Sequence, residues 1–213
     1  MDPTRIIAIR HGETAWNVDT RIQGQLDIPL NENGRWQARR LAAALAGEEV
    51  AAVYTSDLSR AHETARFVAG ALGHETVTHQ GLRERAFGIF EGRTFKEIET
   101  TWPEDSERWR KRESGFAPEG GESLEQLHAR VFATAGELAA RHPGEQVVLV
   151  AHGGVLDILH RIATRQDLQA PRTWQLGNAA INRLLWTPEG FSLVGWSDTR
   201  HLENDSTLDE AAA

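Results

Sequence analysis

The chain has 213 residues, no cysteine, and 31 acidic against 23 basic side chains, for a formal net charge of −8 at pH 7. Disulfides and thiolate metal sites are thereby excluded, and the acidic balance argues against general nucleic-acid binding, although a few convergent arginines can still focus a positive field for a small anion. The length suits one domain, no stretch offers the roughly 20 uninterrupted apolar residues of a membrane helix, and no signal-peptide pattern is present, so a cytoplasmic location is expected.

Residues 5–10 (RIIAIR) read as a buried strand that runs directly into His11 and Gly12. Asn31 is the expected cap of a helix through ENGRWQARRLAAALAG, with Gly47 as its stop. VAAVYTS (50–56) reads as a second strand, and DLSRAHETARFVAGALG as the helix after it. There Ala61, Ala65, Val68 and Leu72 share a face, and Gly73 ends the helix. A short strand is expected over 75–78. Residues 93–112 read as helical with a break near Pro103, and GFAPEGGES (115–123) as a loop. Ser123, or the residue before it, caps a helix that reaches about Arg141. QVVLVAH (146–152) is a strongly buried strand, continued by the helix GGVLDILHRIAT. AAINRLLWTP and GFSLVGWS then form two strands about a turn at Pro188-Glu189-Gly190.

Strands alternating with helices predict an α/β fold, a three-layer sandwich with a mostly parallel central sheet and helices on both faces. One domain is expected over residues 1–200, followed by an acidic, alanine-rich mobile tail over 201–213. The Asn204-Asp205-Ser206 glycosylation triplet in that tail is read as chance.

Sites in such sheets gather beyond the carboxyl ends of the strands. A single histidine there is more often a surface or hydrogen-bonded core residue than a catalyst. Here, however, a buried strand ends in His-Gly twice, at His11-Gly12 and at His152-Gly153. Arg10 offers a planar fork that matches phosphate oxygens, and Gly153-Gly154 would open a helix whose free N–H groups favour an anion. Arg60 falls early in the helix after the second strand, so it can point the same way; alone it would be a solvated arginine. Glu84 follows the short third strand and is either a surface carboxylate or a general acid beside a phosphate.

RHGETAWN, RIQGQLDIPLNENGRWQA, YTSDLSRAHETA, LRERAFGIFEG, GGESLEQLHARV and LVAHGGVL, in that order from residue 5 to about 182, resemble the histidine phosphatase superfamily, the phosphoglycerate mutase-like enzymes. The resemblance implies that His11 is a nucleophile that becomes a phosphohistidine, and that Arg10, Arg60 and His152 surround the transferred phosphate. Glu84 would protonate the leaving group and then act as base for water. Asn17, Gln23, Gly24 and Gly153 match positions that contact phosphate or substrate. No metal and no cofactor would be needed, because Arg10, Arg60 and a cationic His152 could neutralise the phosphoryl oxygens.

The expected activity is therefore that of a metal-independent phosphomonoesterase on a small phosphorylated metabolite. A metal hydrolase is the first rival, but the nine histidines include no His-Glu-x-x-His. A non-catalytic phospho-ligand binding module is disfavoured because each expected catalytic position is filled. A cofactor-dependent phosphoglycerate mutase remains the alternative. Those enzymes are typically longer, carry a proline run, and have His-Tyr-Gly where this chain has Ala86-Phe87-Gly88. The basic run Arg108 to Arg112 is read either as a solvated helix face or as the grip on a substrate's distal acid. Seven tryptophans, Trp174, Trp186 and Trp196 among them, allow a homodimer interface, though core packing is their commoner use.

Overall fold

A computed structural model describes residues 2–203; residues 204–213, with the triplet at 204–206 and most of the expected tail, lie outside the described residues. The strands are β1 (Thr4–Arg10), β2 (Ala52–Thr55), β3 (Thr76–Thr78), β4 (Gln146–Ala151), β5 (Ile181–Thr187) and β6 (Gly190–Asp198). The helices are α1 (Ala15–Val18), α2 (Glu32–Leu45), α3 (Ser59–Leu72), α4 (Phe95–Thr101), α5 (Pro103–Arg110), α6 (Leu124–Ala140) and α7 (Gly153–Thr164). One sheet has the order β3-β2-β4-β1-β5-β6. Its first four strands run parallel, while β5 and β6 are antiparallel to their neighbours. The expected fold class, α/β with a mostly parallel sheet, is the one observed.

Because both faces of the sheet are covered, its central strands read as unbroken apolar runs. Along β1, Ile6 and Ala8 pack with Leu127 and Val131 of α6 and Val155 and Leu159 of α7. Ile7 and Ile9 point the opposite way, into Leu41 and Leu45 of α2 and Ala61 and Val68 of α3. A third, smaller core of Phe90, Ile98 and Phe116, flanked by Trp102 and Trp109, holds together the segment between the short β3 and α6.

Several element ends follow from single residues. Asn31 accepts from Gly34 N at 2.7 Å, and Ser123 forms a capping box with Gln126. Gly73 closes α3 in the left-handed region, φ +71°. The helical stretch expected over 93–112 is two helices, because Trp102 leaves the helical region before Pro103. The strand expected to reach residue 152 stops at Ala151, since His152 is the extended N-cap of α7. The single turn α1, absent from the expected elements, is held by a box between Thr14 and Asn17.

Within this chain the three C-terminal tryptophans find partners: Trp174 stacks on His160 with centroids 3.9 Å apart, Trp196 donates to Gln175 O at 2.8 Å, and Trp186 packs on the core of α6 and α7. At the far end, Arg40 Nε donates to His201 O at 2.7 Å, and Leu202 packs against the α2–α3 core, so residues 201–203 are tied to the body.

Candidate active site

The carboxyl ends of the parallel strands bring the sequence candidates together. Arg10 at the end of β1 is in register with Ala151 at the end of β4, and His11 N donates to Ala151 O at 3.0 Å. The His11 and His152 rings, each just beyond the end of one of two adjacent strands, therefore lie 5.2 Å apart. His11 is 2% exposed and His152 is fully buried. His11 Nδ1 sits 2.7 Å from Gly12 O. A carbonyl only accepts, so Nδ1 carries the proton and Nε2 the lone pair.

Burial first, then Arg60 and Arg10, push His11 well below the usual histidine pKa, with the Gly12 bond opposing. The same burial, followed by Arg60, His11, Arg10 and Arg130, acts on His152. The cationic His152 expected from the sequence is thus corrected: protein groups alone hold it neutral, and a phosphoryl dianion would act in the opposite sense. Both ring nitrogens of His152, together with Arg10 Nε and Arg60 Nε, are buried without a partner among the described residues. Buried polar atoms are nearly always paired, so this group of unpartnered nitrogens around His11 marks a site for an anion with several oxygens.

The rest of the set surrounds that place. Arg10 is anchored by donating Nη1 to Leu176 O. Arg60, in the first turn of α3, donates Nη2 to Gly24 O at 2.7 Å and Nη1 to Leu26 O at 2.8 Å. Gly24 thus contributes a carbonyl that orients Arg60. Gly153 opens α7 beside Arg10 and Glu84, and helix geometry leaves its N–H without an intrahelical acceptor. Asn17 Oδ1 accepts from Thr14 N at 3.0 Å and from Asn178 Nδ2 at 3.3 Å. Gln23 is buried and accepts from Thr14 Oγ1 at 2.9 Å, so it meets the set through Thr14.

Glu84 is held by main-chain donors. Its Oε1 accepts from Arg85 N at 2.8 Å and Gly154 N at 3.0 Å, whereas Oε2 shares only the Gly154 N–H, at 3.1 Å. Oε2 is therefore the less encumbered of the two oxygens. Two glycines make the geometry accessible. A Cβ on Gly154 would come within 2.3 Å of Glu84 Oε1, and one on Gly12 within 2.5 Å of Gly34 O, a backbone atom that cannot swing away.

Several participants gave no signal in the sequence. Asn178 Nδ2 donates to His11 O at 2.9 Å, and Thr64 Oγ1 accepts from Gly12 N at 3.0 Å. Behind Glu84, Arg130 donates to the carbonyls of Gly81, Arg83 and Glu84 and to both oxygens of Glu122, which in turn accepts from Ala86 N. This clamp ties the Glu84 segment to α6. Removing the Glu122 carboxylate leaves Ala86 N–H and one side of Arg130 unpaired, and is expected to cost about 2 kcal/mol of stability. Thermal unfolding of Glu122→Ala checks this, and an unchanged midpoint would mean that the clamp is dispensable.

The basic run splits. Arg108 pairs with Glu113 at 2.8 Å and Lys111 with Glu107 at 2.7 Å on an exposed face, while Arg112 turns inward to Asp157 at 2.8 Å. Arg112 occupies the left-handed position just past α5, φ +55°, that helices commonly give to glycine. A non-glycine residue there costs roughly 1–2 kcal/mol. Bonds from its side chain to Leu168 O and Asp157 offset that cost.

Comparison with known proteins places the chain in a family. The family model of the histidine phosphatase superfamily (branch 1) matches residues 6–199. The chain is 36% identical over 212 residues to phosphoglycerate mutase-like protein 4 of Arabidopsis thaliana, covering 98% of this chain and 91% of that one. It is 37% identical over 204 residues to a metal-independent phosphoserine phosphatase of the same plant, covering 94% and 84%. Among solved structures, Bacillus stearothermophilus YhfR superposes with a TM-score of 0.88 at 33% identity, covering 94% of this chain and all of that one.

Proposed function

The chain belongs to the histidine phosphatase superfamily, and on that premise we propose that it is a metal-independent phosphomonoesterase acting on a small phosphorylated metabolite through a phosphohistidine at His11. One observation carries the proposal: a neutral His11 with Nδ1 pinned to Gly12 O and Nε2 free, beside the unpartnered nitrogens of Arg10, Arg60 and His152. His11 Nε2 attacks phosphorus as the P–O bond to the leaving group breaks, and the departing oxygen takes the proton from Glu84. Water then attacks phosphorus on the opposite side of the P–N bond, gives its proton to Glu84, and restores His11 as phosphate leaves. Charge on the transferred group is met by Arg10, Arg60, His152 and the Gly153 N–H, so positioning and electrostatics do most of the work. Asn17, Gln23 and Gly24 hold the surrounding loop and Arg60 in place.

Water is the proposed acceptor because this chain has Phe87 where mutases have tyrosine and lacks their proline run. The test is simultaneous measurement of phosphate release and 2-phosphoglycerate formation from 3-phosphoglycerate, with and without 2,3-bisphosphoglycerate, in excess chelator, alongside a panel of phosphorylated metabolites. Phosphate release from at least one panel member, surviving chelation, is expected. Bisphosphate-stimulated isomerisation that outruns phosphate release would instead make the chain a mutase.

A pH dependence follows from the buried nucleophile. Neutral His11 is the reactive form, and a lowered pKa keeps it neutral to lower pH. The acid limb of kcat/KM, corrected for ionisation of the substrate, should therefore have its midpoint below about 6.5, the usual histidine value. A midpoint above that value would mean that the limb belongs to another group or that His11 is not the nucleophile.

A further inference from the structure

Beyond the phosphoryl site, the cavity that must receive the leaving group has a volume of about 710 Å3. That lies within the range of pockets that enclose drug-sized ligands, and far exceeds the needs of a three-carbon acid. It begins at Arg10, Gly153 and Gly154 and ends on two unlike walls.

One wall is aromatic. Phe95 stacks on Trp109 with centroids 4.9 Å apart and planes 6° from parallel, and Phe87 meets Trp109 edge-on at 5.8 Å. Phe90 closes on Trp109 at 5.4 Å, so the accessible aromatic surface is that of Phe95, which is 59% exposed. The other wall is cationic. Arg10, Arg85, Arg110, Arg112 and Arg172 line it together with the carboxylates of Glu99 and Asp157, while Glu84 acts on Arg10 and Arg85 and Glu122 on Arg85. This excess sits in a chain whose net charge is −8.

The cations near His11 and those near the far end have different occupations. Arg10 belongs to the transferred phosphate, and Arg85 spends its Nε and Nη2 on the carbonyls of Glu122 and Phe116. Asp157 is shared between Arg112 and Arg161 through one oxygen. Glu99 is 3.9 Å from Arg110, and both are largely solvated. Arg172 makes no ion pair among the described residues, and it is close enough to Arg10 and Arg112 to lower the pKa of each. Asp157, which holds Arg112, lies one turn of α7 beyond Gly153.

Resting on the phosphomonoesterase proposal, we infer that the leaving group is a ring-bearing acid: a flat ring that stacks on Phe95, carrying a carboxylate received by Arg172 and Arg112. A ring spans the gap that a three-carbon acid would leave open. Stacking of a ring on Phe95 uses a face that no side chain of the described residues covers more than partly. A carboxylate supplies the ion pair that Arg172 lacks among the described residues.

The test separates ring from acid at constant leaving-group chemistry. Four primary alkyl phosphonates are titrated into the wild-type protein by calorimetry: propylphosphonate, 4-phosphonobutanoate, 3-phenylpropylphosphonate and 4-(3-phosphonopropyl)benzoate. The corresponding phosphate esters are assayed for turnover. The ring should tighten binding by about tenfold over propylphosphonate and the ring-borne carboxylate by about tenfold more, so that the benzoate gains about 100-fold, whereas 4-phosphonobutanoate, whose acid stops short of Arg172, gains little. Arg172→Ala, an exposed loop substitution, should remove most of the acid's increment, and Phe95→Ala most of the ring's. In turnover of the benzoate ester both should raise KM more than they lower kcat. Equal affinity for all four compounds, or 4-phosphonobutanoate matching the benzoate, would overturn the inference. Graded binding without turnover of any ester would leave the ligand class standing and count against phosphomonoesterase activity itself.

Discussion

His11→Ala is expected to lower turnover of any phosphomonoester substrate by about 10^4-fold or more, the scale seen when a covalent nucleophile is removed. The expectation rests on the tautomer that Gly12 O imposes and on the burial that keeps the ring neutral. No neighbouring group can substitute easily. His152 has no partner among the described residues on either ring nitrogen, so no main-chain acceptor sets its tautomer as Gly12 O sets that of His11. Brief incubation of the wild-type protein with labelled substrate, quenched without acid, should trap label that survives base and is lost in acid. His11→Ala should carry none. Label of the same stability on the variant would move the nucleophile elsewhere.

Glu84→Gln is expected to slow hydrolysis of alkyl phosphates by about 10^2 to 10^4-fold, with a much smaller effect on aryl phosphates, whose leaving groups need little protonation. The amide can still occupy the place beside Gly154 N and Arg85 N, so the fold should tolerate it. Gly154→Ala should reproduce part of the pattern, because the added methyl would displace Oε1. The measurement is kcat/KM across a series of esters of graded leaving-group pKa. A steeper dependence on leaving-group pKa in both variants supports proton donation; parallel slowing of every ester would mean that Glu84 positions other groups.

Much of this was legible before any coordinates. The α7 helix begins and ends where GGVLDILHRIAT begins and ends, because a buried strand can turn into a helix over paired glycines and the apolar spacing then changes period. Gly73, Asn31 and Ser123 mark helix ends by chemistry confined to a few residues. The four parallel strands each deliver a candidate to the same edge, and alternation of strands with helices was enough to anticipate that edge.

Other features were not legible, for reasons particular to each. Within the basic run, Arg112 differs from Arg108 only in standing at a left-handed position after α5, and a helix end without glycine does not announce that geometry. The charge of His152 depends on its burial and on Arg60 and Arg10, which are remote in sequence. Asn178 reaches His11 across 167 positions, and Arg130 reaches the Glu84 segment across 46 to 49.

By itself, then, the sequence determined most of the elements (though not the single turn α1), the layer order implied by their alternation, and the identity of the groups at the strand ends, since propensity, periodicity and capping act over a few neighbouring residues. Only the tertiary structure decided which nitrogen of His11 is free, that His152 is held neutral, which oxygen of Glu84 is less encumbered, and which arginine of a basic run faces the cavity. Each of these is set by desolvation and by partners that packing alone brings within hydrogen-bond distance.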